Sequence, residues 1–224
     1  LYKALLCSNA DMSISWFKNV FESYLPDKND CKKELQNLEV LSSAQCLERM
    51  FYQNFIEISA WGKLYKSCLF DNLRYPFGKL YEDIPVTPVT VQRSNKIAVI
   101  KNVDYFYFQR KNGIQNMYFN PSKLNAIENM TVLRKFIEEQ SPKNIDALNC
   151  RYFSTVSNIL FQIKDNDHNN EKKILWNELK AYRKSVLLNG KARKKARIAA
   201  FLTYFGYTIT NFVYSKTQWR GSNL

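Results

Sequence analysis

Apolar residues are spaced differently in the two halves of the chain. In residues 11–17 they alternate with polar residues, so that Met12, Ile14 and Trp16 share one side, and this predicts a half-buried strand. From Ser122 onward they recur every three or four positions, which is typical of helices that pack by one face. We therefore expect a mixed α/β region followed by a helical region.

Two short helices are predicted, one before the first strand and one after it. Residues 1–8 carry leucines in helical phase, and Asn9 is a plausible helix stop. Ser42 and Gln45 have the spacing of a capping box, in which each side chain satisfies the other's free backbone donor. A second helix should therefore begin directly after Ser42.

Two further strands are expected in the second quarter of the chain. Residues 96–101 and 103–108 are rich in β-branched and aromatic types, which favour strands. Asn102 separates them and predicts a polar turn between two adjacent strands. Because the second run is aromatic on both faces, we expect it to be covered on both sides.

Three helices are predicted after Ser122, and residues 165–170 form a polar break between the second and third. Asn189 and Gly190 supply a stop after the third helix. The apolar faces of the three helices are marked by Leu124, Ile127, Met130 and Ile137; by Ile145, Leu148, Tyr152, Val156, Ile159, Leu160 and Ile163; and by Leu175, Leu179, Tyr182 and Val186.

Residues 60–83, with the sequence AWGKLYKSCLFDNLRYPFGKLYED, carry the candidate chemistry. The segment from Pro76 to Gly78 forbids regular structure and leads to two adjacent acids, Glu82 and Asp83. We expect this acid pair on a loop or at the start of a helix. The first half of the stretch has a helix-like spacing of its apolar residues Trp61, Leu64, Tyr65 and Leu69.

Composition indicates a globular protein with an uneven charge. Of its 224 residues, 46% are hydrophobic and 24% are charged, which argues against a disordered or fibrous chain. The net charge is +13, and residues 189–224 hold seven basic residues and no acid. Such a local excess of positive charge points to a local anionic partner.

Cysteine and histidine give no sign of a metal site in this chain. The five cysteines are scattered without a Cys-x-x-Cys or Cys-His pairing, which disfavours zinc and suits free thiols in a reducing compartment. The one histidine, His168, lies in a polar segment, and we expect it to be solvent-exposed rather than a ligand or a base.

Three sequence words occur in an order that carries a family resemblance. They are AWGKLY at 60–65, RYPFGKLYED at 74–83 and YFYFQRKNGI at 105–114. With these words the chain resembles the second half of the catalytic domain of bacterial family 2 glycosyltransferases of the GT-A type. The similarity covers about the first half of the chain. It implies an α/β fold that is GT-A-like but truncated, with a partial mixed sheet, followed by an α-helical C-terminal region.

The resemblance also implies a domain organisation. Residues 1–120 would be the acceptor-side half of the glycosyltransferase domain, 121–188 a helical region, and 189–224 a basic, membrane-associating C-terminal helix. Residues 1–17 are similar to the helix and strand that follow the family's metal-binding Asp-x-Asp segment. Because the chain lacks an initiating methionine and opens inside a helix pattern, we expect a fragment without the nucleotide-binding half.

By resemblance, Asp83 is the catalytic base that accepts the proton of the acceptor hydroxyl, and Glu82 orients the acceptor or the loop. From the residues alone, an exposed acid pair is the commoner outcome. Adjacent carboxylates also raise each other's pKa.

Three further residues are candidates for acceptor or substrate binding. An indole face suits a sugar ring and an ammonium suits a diphosphate, which makes Trp61 and Lys63 candidates beside the alternatives of core packing and solvent exposure. Arg110 follows the aromatic run where the family places basic residues, although a plain surface arginine fits equally. The family more often has Asn where Gly62 stands, and this puts hydrogen bonding from that position in doubt.

The activity implied by the resemblance is inverting transfer of a sugar to a glycan or lipid-linked acceptor, in capsule, cell-wall or exopolysaccharide synthesis. It implies a nucleotide-diphosphate sugar donor and Mg²⁺ or Mn²⁺, whose sites would lie in the missing N-terminal half. We therefore expect this chain alone to be inactive.

The last segment predicts contact with an anionic membrane surface, at the cytoplasmic face of the bacterial cell membrane as a peripheral protein. Residues 198–214 are uncharged but short and polar for a spanning segment, so a helix lying on the membrane is favoured. A core-packing helix with a solvated basic end is the alternative. The membrane-binding candidates are Lys191, Arg193, Lys194, Lys195 and Arg197.

Two other functions compete with glycosyl transfer. The basic, aromatic-rich composition would also suit a nucleic-acid-binding module. The basic cluster borders an apolar run instead of interleaving with aromatics, however, and no known nucleic-acid motif occurs, so nucleic acid is a disfavoured partner. A non-catalytic membrane-associated adaptor is the third possibility.

Overall fold

A computed structural model describes residues 1–21, 24, 35, 37–110, 113, 118–164 and 168–216. It contains one mixed four-stranded sheet with helices packed around it, followed by a helical region. The predicted α/β fold class with a helical C-terminal region is therefore confirmed. The strands are β1 (Met12–Val20), β2 (Glu39–Leu41), β3 (Lys63–Tyr65) and β4 (Ile97–Phe108). The helices are α1 (Tyr2–Ser8), α2 (Ser43–Phe51), α3 (Thr87–Arg93), α4 (Asn125–Gln140), α5 (Ile145–Leu160), α6 (Asn169–Leu188), α7 (Lys194–Leu202) and α8 (Tyr207–Lys216).

The strand order in the sheet is β2-β4-β1-β3. The central strands β1 and β4 run parallel, and each carries a short antiparallel strand on its outer side, β3 on β1 and β2 on β4. Parallel central strands need cover on both faces. This explains why Ser13 and Ser15 are buried together with Met12 and Ile14, although the alternating pattern predicted a half-buried strand.

The predicted turn at Asn102 is wrong, because residues 97–108 form a single strand. Ile14 pairs with Val99 and Trp16 with Val103, so two steps along β1 match four along β4. An irregularity of this kind absorbs the extra residues within the strand. Asn102 is buried there and does not break the ladder.

The first two helices form as the sequence predicts. Asn9 ends α1 in the left-handed conformation at φ 49°. Ser42 caps α2, its hydroxyl accepting from the Gln45 backbone N–H while the Gln45 side chain accepts from the Ser42 N–H. Both ends are thus set by local side-chain chemistry.

The helix predicted over the first half of 60–83 is wrong. Its residues instead form β3 and a short 3-10 turn, Ser67–Phe70. Backbone pairing with β1, from Met12 opposite Tyr65 to Ile14 opposite Lys63, gives this segment partners that an isolated short helix lacks.

The three helices predicted after Ser122 are present as α4, α5 and α6. Their inward faces belong to one buried apolar cluster that also includes residues of β1, β4 and α2 and extends from Met12 to Tyr214. The helical region therefore packs directly on the sheet region. The division at residues 120 and 188 into separate functional regions stays a prediction.

The single C-terminal helix predicted within residues 189–224 is wrong in detail. The chain forms α7, a 3-10 turn at Thr203–Phe205 and then α8, with Gly206 at φ 92° between them. Glycine permits this positive φ, which other residues rarely adopt. Within the part of the chain that the structure describes, no helix has the length and apolar character needed to cross a bilayer.

Candidate active site

Asp83 lies on the loop that leads into α3. Its backbone carbonyl accepts hydrogen bonds from the N–H groups of Val86 (3.2 Å) and Thr87 (2.9 Å), so that Asp83 begins the turn from which α3 grows. This places the acid pair at the start of a helix, one of the two positions that the sequence allowed.

The same loop is fastened to α4. The Asn129 amide donates to the carbonyls of Leu80 (3.2 Å) and Tyr81 (2.9 Å), and the Leu80 N–H donates to the Asn125 side chain (3.3 Å). Tyr81 is held at a positive φ of 58°, a costly conformation for a tyrosine. The acid pair therefore has a fixed backbone although it lies on a loop.

The Asp83 carboxyl group is partly buried, whereas Glu82 beside it is exposed. Burial, followed by the negative charge of Glu82, raises the pKa of Asp83, and the charges of Arg151 and Lys63 oppose this rise. A carboxylate with a raised pKa is a stronger base than an ordinary aspartate.

The charge of the Asp83 carboxylate acts on the pKa values of four tyrosines. The pKa values of Tyr65, Tyr75, Tyr81 and Tyr107 are all raised, chiefly by burial, and the charge of Asp83 contributes at each. At neutral pH these side chains are neutral phenols, each with an apolar ring and a polar hydroxyl. Such a surface suits the mixed apolar and hydroxyl character of a sugar.

Trp61 packs against Tyr107, one of these four tyrosines. Its ring stacks on Tyr105 and Tyr107 at centroid distances of 4.5 and 5.0 Å, and Phe17 meets it edge-on at 4.7 Å. Tyr107 thus connects the indole with the surroundings of Asp83. The indole is partly buried, and its predicted contact with a sugar stays a prediction.

Lys63 directs its ammonium group towards its own loop. Its Nζ donates to the Ser59 carbonyl at 2.6 Å and to the Trp61 carbonyl at 3.4 Å. Burial lowers the pKa of Lys63 to about 8. Its observed contacts are structural, and the predicted contact with a diphosphate or acceptor stays a prediction.

Arg110 is exposed just beyond the end of β4, where its carbonyl accepts from the Gly113 N–H at 3.1 Å. The neighbouring residues 111 and 112 of the predicted basic loop lie outside the described residues. The role of Arg110 stays a prediction.

Sequence reasoning missed Arg151 and Glu57. Arg151 lies on α5, and its Nη1 is 3.3 Å from Oε2 of Glu57, which precedes β3. The Arg151 Nε is buried and has no hydrogen-bond partner among the described residues. Both side chains are largely buried, and the Arg151 charge reaches Asp83. Their separation along the chain gave no local signal for this pairing.

His168, which was predicted to be solvent-exposed, is partly exposed, with 26% of its side-chain surface accessible. It precedes α6 and is partly buried, with its ring 4.9 Å from that of Phe119 and its Nδ1 3.6 Å from the Glu171 carboxylate. The start of α6 carries the histidine onto the protein surface next to Phe119.

The described residues offer no group of three His, Cys, Asp or Glu side chains that fits a metal ion. The sequence does contain one Asp-x-Asp triplet, at 165–167, which lies outside the described residues.

The basic residues predicted to bind a membrane divide into two groups. Lys191 is paired with Glu48 at 2.7 Å, and Arg193 is partly buried, which lowers its pKa together with the charge of Arg151. Lys194, Lys195 and Arg197 are exposed on α7.

Two hollows on the protein lie away from Asp83. One is a tight crevice between α2 and α5, bordered by Phe51 and Cys150, and the other is a groove at α7 bordered by Ile198 and Phe201. Asp83 borders neither of these hollows.

Comparison with known proteins gives one sequence relative and a set of structural neighbours. No family model matches the chain. The glycosyltransferase GlyA of Streptococcus pneumoniae serotype 4 is 28% identical over 124 residues, which cover 53% of this chain and 18% of GlyA. The chain thus spans a minor part of that relative's length.

Two crystal structures of S. aureus TarS 1–349, one in complex with UDP-GlcNAc, have a similar fold. Each aligns with a TM-score of 0.54 at 15% identity and covers 98% of this chain. The alignment covers 62% of the TarS chain in the complex and 60% in the other structure, so this chain also spans less than two thirds of TarS 1–349. At this identity the likeness concerns the fold. With the match to GlyA, it confirms the relationship to bacterial glycosyltransferases that the sequence predicts.

Proposed function

We propose that this chain supplies the acceptor side of an inverting glycosyltransferase of family 2 and GT-A type. The enzyme would transfer a sugar from a nucleotide-diphosphate sugar to a glycan or lipid-linked acceptor, in capsule, cell-wall or exopolysaccharide synthesis. The observation that carries this proposal is Asp83, a partly buried carboxylate of raised pKa on a loop fastened to α4.

Asp83 would act as the general base. As the acceptor oxygen attacks the anomeric carbon, the hydroxyl proton moves to the Asp83 carboxylate. A bond forms between the acceptor oxygen and that carbon, the bond to the phosphate oxygen breaks, and the nucleoside diphosphate leaves with the bonding electrons. A base of raised pKa accepts the proton more readily, which favours this role. Glu82, which is exposed, would contact the acceptor or hold the loop.

The aromatic surroundings of Asp83 support an acceptor that is itself a sugar. Tyr65, Tyr75, Tyr81 and Tyr107 combine apolar rings with hydroxyl groups near the base, and Trp61 stacks on Tyr107. Rings of this type pack on the apolar face of a sugar while hydroxyls hydrogen-bond its edges.

The donor would be bound largely outside this chain. TarS was crystallised with UDP-GlcNAc, which makes UDP-GlcNAc the first donor to test. Mg²⁺ or Mn²⁺ would bind with the donor and compensate the charge of the diphosphate. The described part of this chain would supply the base and the acceptor surface. We expect no transfer by this chain alone.

The decisive experiment replaces the base in an enzyme that contains both the donor-binding half and this chain. Asp83→Asn should lower kcat by at least about a hundredfold, because general base catalysis contributes roughly 10²–10⁴-fold. UDP release with UDP-GlcNAc and an oligosaccharide acceptor measures the rate, and binding of UDP-GlcNAc should be unchanged. Asp71→Asn, at an exposed position outside the proposed site, is the matched control and should retain most of the turnover. Near-normal turnover of Asp83→Asn would remove the assignment.

The proposed location is the cytoplasmic face of the bacterial cell membrane, where lipid-linked acceptors are accessible. Peripheral attachment fits the excess of basic residues in 189–224.

A further inference from the structure

Large apolar side chains are exposed together at the C-terminal end of the described chain. Ile198, Phe201 and Phe205 are 52%, 51% and 53% exposed. Isolated exposed apolar residues are ordinary, but a contiguous group marks a binding surface. These three form, with their neighbours, what we call the α7 patch, which consists of Leu187, Lys194, Arg197, Ile198, Phe201 and Phe205.

The geometry of α7 makes this group contiguous. Lys194, Ile198 and Phe201 lie on one side of the helix at four- and three-residue spacing, and Phe205 contacts Phe201 edge-on with ring centroids 5.2 Å apart. Five of the six residues border a groove of about 300 Å³. Arg197 forms one side of the groove, and its Nε donates a hydrogen bond to the Leu187 carbonyl at 3.1 Å, which holds the side chain in this position.

The opposite face of α7 anchors the patch. Ala196, Ala199 and Ala200 are buried in the main apolar cluster, so the helix cannot turn its exposed residues inward without losing this packing. The core-packing alternative for this segment is thus true of one face only. The other face remains apolar and basic.

Charge decides which partner fits the patch. Residues 189–224 contain no acidic residue, and Lys194 and Arg197 are exposed at the rim of the groove. Lys191 and Arg193 differ from them, because Lys191 pairs with Glu48 and Arg193 is partly buried. An apolar surface with a cationic rim matches an anionic bilayer, which offers phosphates above acyl chains.

We propose that the α7 patch binds the surface of an anionic lipid bilayer. Lys194 and Arg197 pair with headgroup phosphates, while Ile198, Phe201 and Phe205 enter the boundary between headgroups and acyl chains. The aromatic side chains, and not only the basic run, therefore hold the protein on the membrane. This inference rests on the proposed peripheral attachment to the membrane and names the residues that make it. It is independent of the proposed glycosyl transfer, since neither outcome of its test bears on Asp83.

Flotation of the full chain with lipid vesicles tests the proposal. The chain should float with vesicles of phosphatidylcholine and phosphatidylglycerol in equal amounts, and much less with phosphatidylcholine alone. Lys194→Gln with Arg197→Gln should weaken binding to the mixed vesicles by about tenfold or more, since each cation near the surface contributes on the order of 1 kcal/mol. Phe201→Ser with Phe205→Ser should weaken it by a similar factor at any salt concentration.

Matched controls separate the patch from general charge and apolarity. Lys135→Gln with Lys143→Gln removes two exposed cations elsewhere, and Phe77→Ser with Ile174→Ser removes two exposed apolar side chains elsewhere. Both control variants should float like the unaltered chain. Equal flotation of patch and control variants would overturn the proposal. So would light scattering that shows a dimer which the Phe201 and Phe205 variant disrupts, with no vesicle binding by the unaltered chain.

Discussion

Arg151 on α5 and Glu57 before β3 form an ion pair with 3.3 Å between Nη1 and Oε2. The pair joins the helical region to the sheet region beside Asp83, whose pKa the Arg151 charge lowers against the larger effects of burial and Glu82. The helical region is thus part of the candidate site, although every site residue predicted from the resemblance to the glycosyltransferase domain lies in the first 120 residues.

Removing this pair should destabilise the fold. Arg151→Gln leaves the largely buried Glu57 carboxylate without its partner, and we expect a loss of about 1–3 kcal/mol in the free energy of unfolding. Urea denaturation measures it, and a double-mutant cycle with Glu57→Gln isolates the coupling.

A more exposed pair provides the control for Arg151. Arg49 and Glu39 are 2.6 Å apart with side chains 34% and 48% exposed, so Arg49→Gln should cost less than about 1 kcal/mol. Equal losses from the two substitutions would contradict the importance given to burial of the Arg151 pair.

Asp83→Asn should stabilise the fold at neutral pH. Burial and the Glu82 charge hold the pKa of Asp83 above its ordinary value of 3.8, so the charged form costs folding free energy once the pH exceeds that raised pKa. We expect a gain in stability at pH 7 that shrinks as the pH falls through the raised pKa of Asp83 and vanishes near pH 3, where the carboxyl group is protonated in both states. Denaturation curves at the two pH values measure the difference.

The stability of Asp83→Asn distinguishes a catalytic carboxylate from a structural one. Substitution of a structural carboxylate would destabilise the folded protein. Asp71→Asn, at an exposed position, should change stability by less than about 0.5 kcal/mol. A clear destabilisation by Asp83→Asn at pH 7 would contradict the proposed role.

The sequence predicted correctly those helix ends that depend on residues a few positions apart in the chain. The capping box at Ser42 and the stop at Asn9 depend on residues within a few positions, and both are confirmed. The helix predicted around Trp61 and the turn at Asn102 failed because pairing with β1 decides both conformations. Such pairing joins residues far apart in the chain, and periodicity within one segment carries no information about it.

The candidate site shows the same division. The acid pair at Glu82 and Asp83 was proposed from a short sequence word, and its position before α3 is one of the two that the sequence allowed, on a loop or at the start of a helix. Arg151, the fastening by Asn129 and the burial of the Lys63 ammonium depend on where α4 and α5 pack. Those features need the three-dimensional structure.

Lys63 should make stability rise with pH. Burial lowers the pKa of Lys63 from 10.5 to about 8, so the folded state binds fewer protons than the unfolded state between these values. Stability gained by deprotonation therefore appears as the pH rises through about 8. Between pH 7 and 9 the unaltered chain should gain about 1 kcal/mol relative to Lys63→Met.

The comparison with Lys63→Met is needed because burial raises the pKa of Cys46 to about 12 and that of Cys150 to about 11. Ionisation of these thiols in the unfolded state opposes the lysine effect near pH 9 and above in both proteins. The contribution of Cys150 cancels in the difference. If the free energy of unfolding of the unaltered chain and of Lys63→Met changed equally with pH, the Lys63 ammonium would not be buried.

Gly62 should tolerate asparagine better than alanine. It has a φ of +67°, and its carbonyl accepts from the Ser15 N–H at 2.9 Å where β3 begins to pair with β1. A Cβ added at Gly62 meets nothing closer than 3.7 Å, so the left-handed backbone and not space limits substitution. Gly62→Ala should cost about 1–2 kcal/mol and Gly62→Asn less, because asparagine adopts this conformation more readily. Equal costs in urea denaturation would contradict this reason for the glycine.

Asn129 should control the mobility of the acid-bearing loop. Its amide supplies two hydrogen bonds to the carbonyls of Leu80 and Tyr81 and is nearly fully buried. Asn129→Leu removes both donors, so we expect a loss of about 1–3 kcal/mol and faster amide hydrogen exchange in residues 79–86.

The control for Asn129 uses an exposed link between this loop and α4. Lys79 and Glu128 form an exposed ion pair at 2.9 Å, so Lys79→Gln should cost less than about 1 kcal/mol and leave exchange in the loop nearly unchanged. If Asn129→Leu left exchange unaltered while Lys79→Gln accelerated it, the surface ion pair and not the buried amide would fix Asp83. A second expected result concerns activity. In an enzyme that contains the donor-binding half, Asn129→Leu should lower kcat with little effect on donor binding, because the base loses its position and the donor site is untouched.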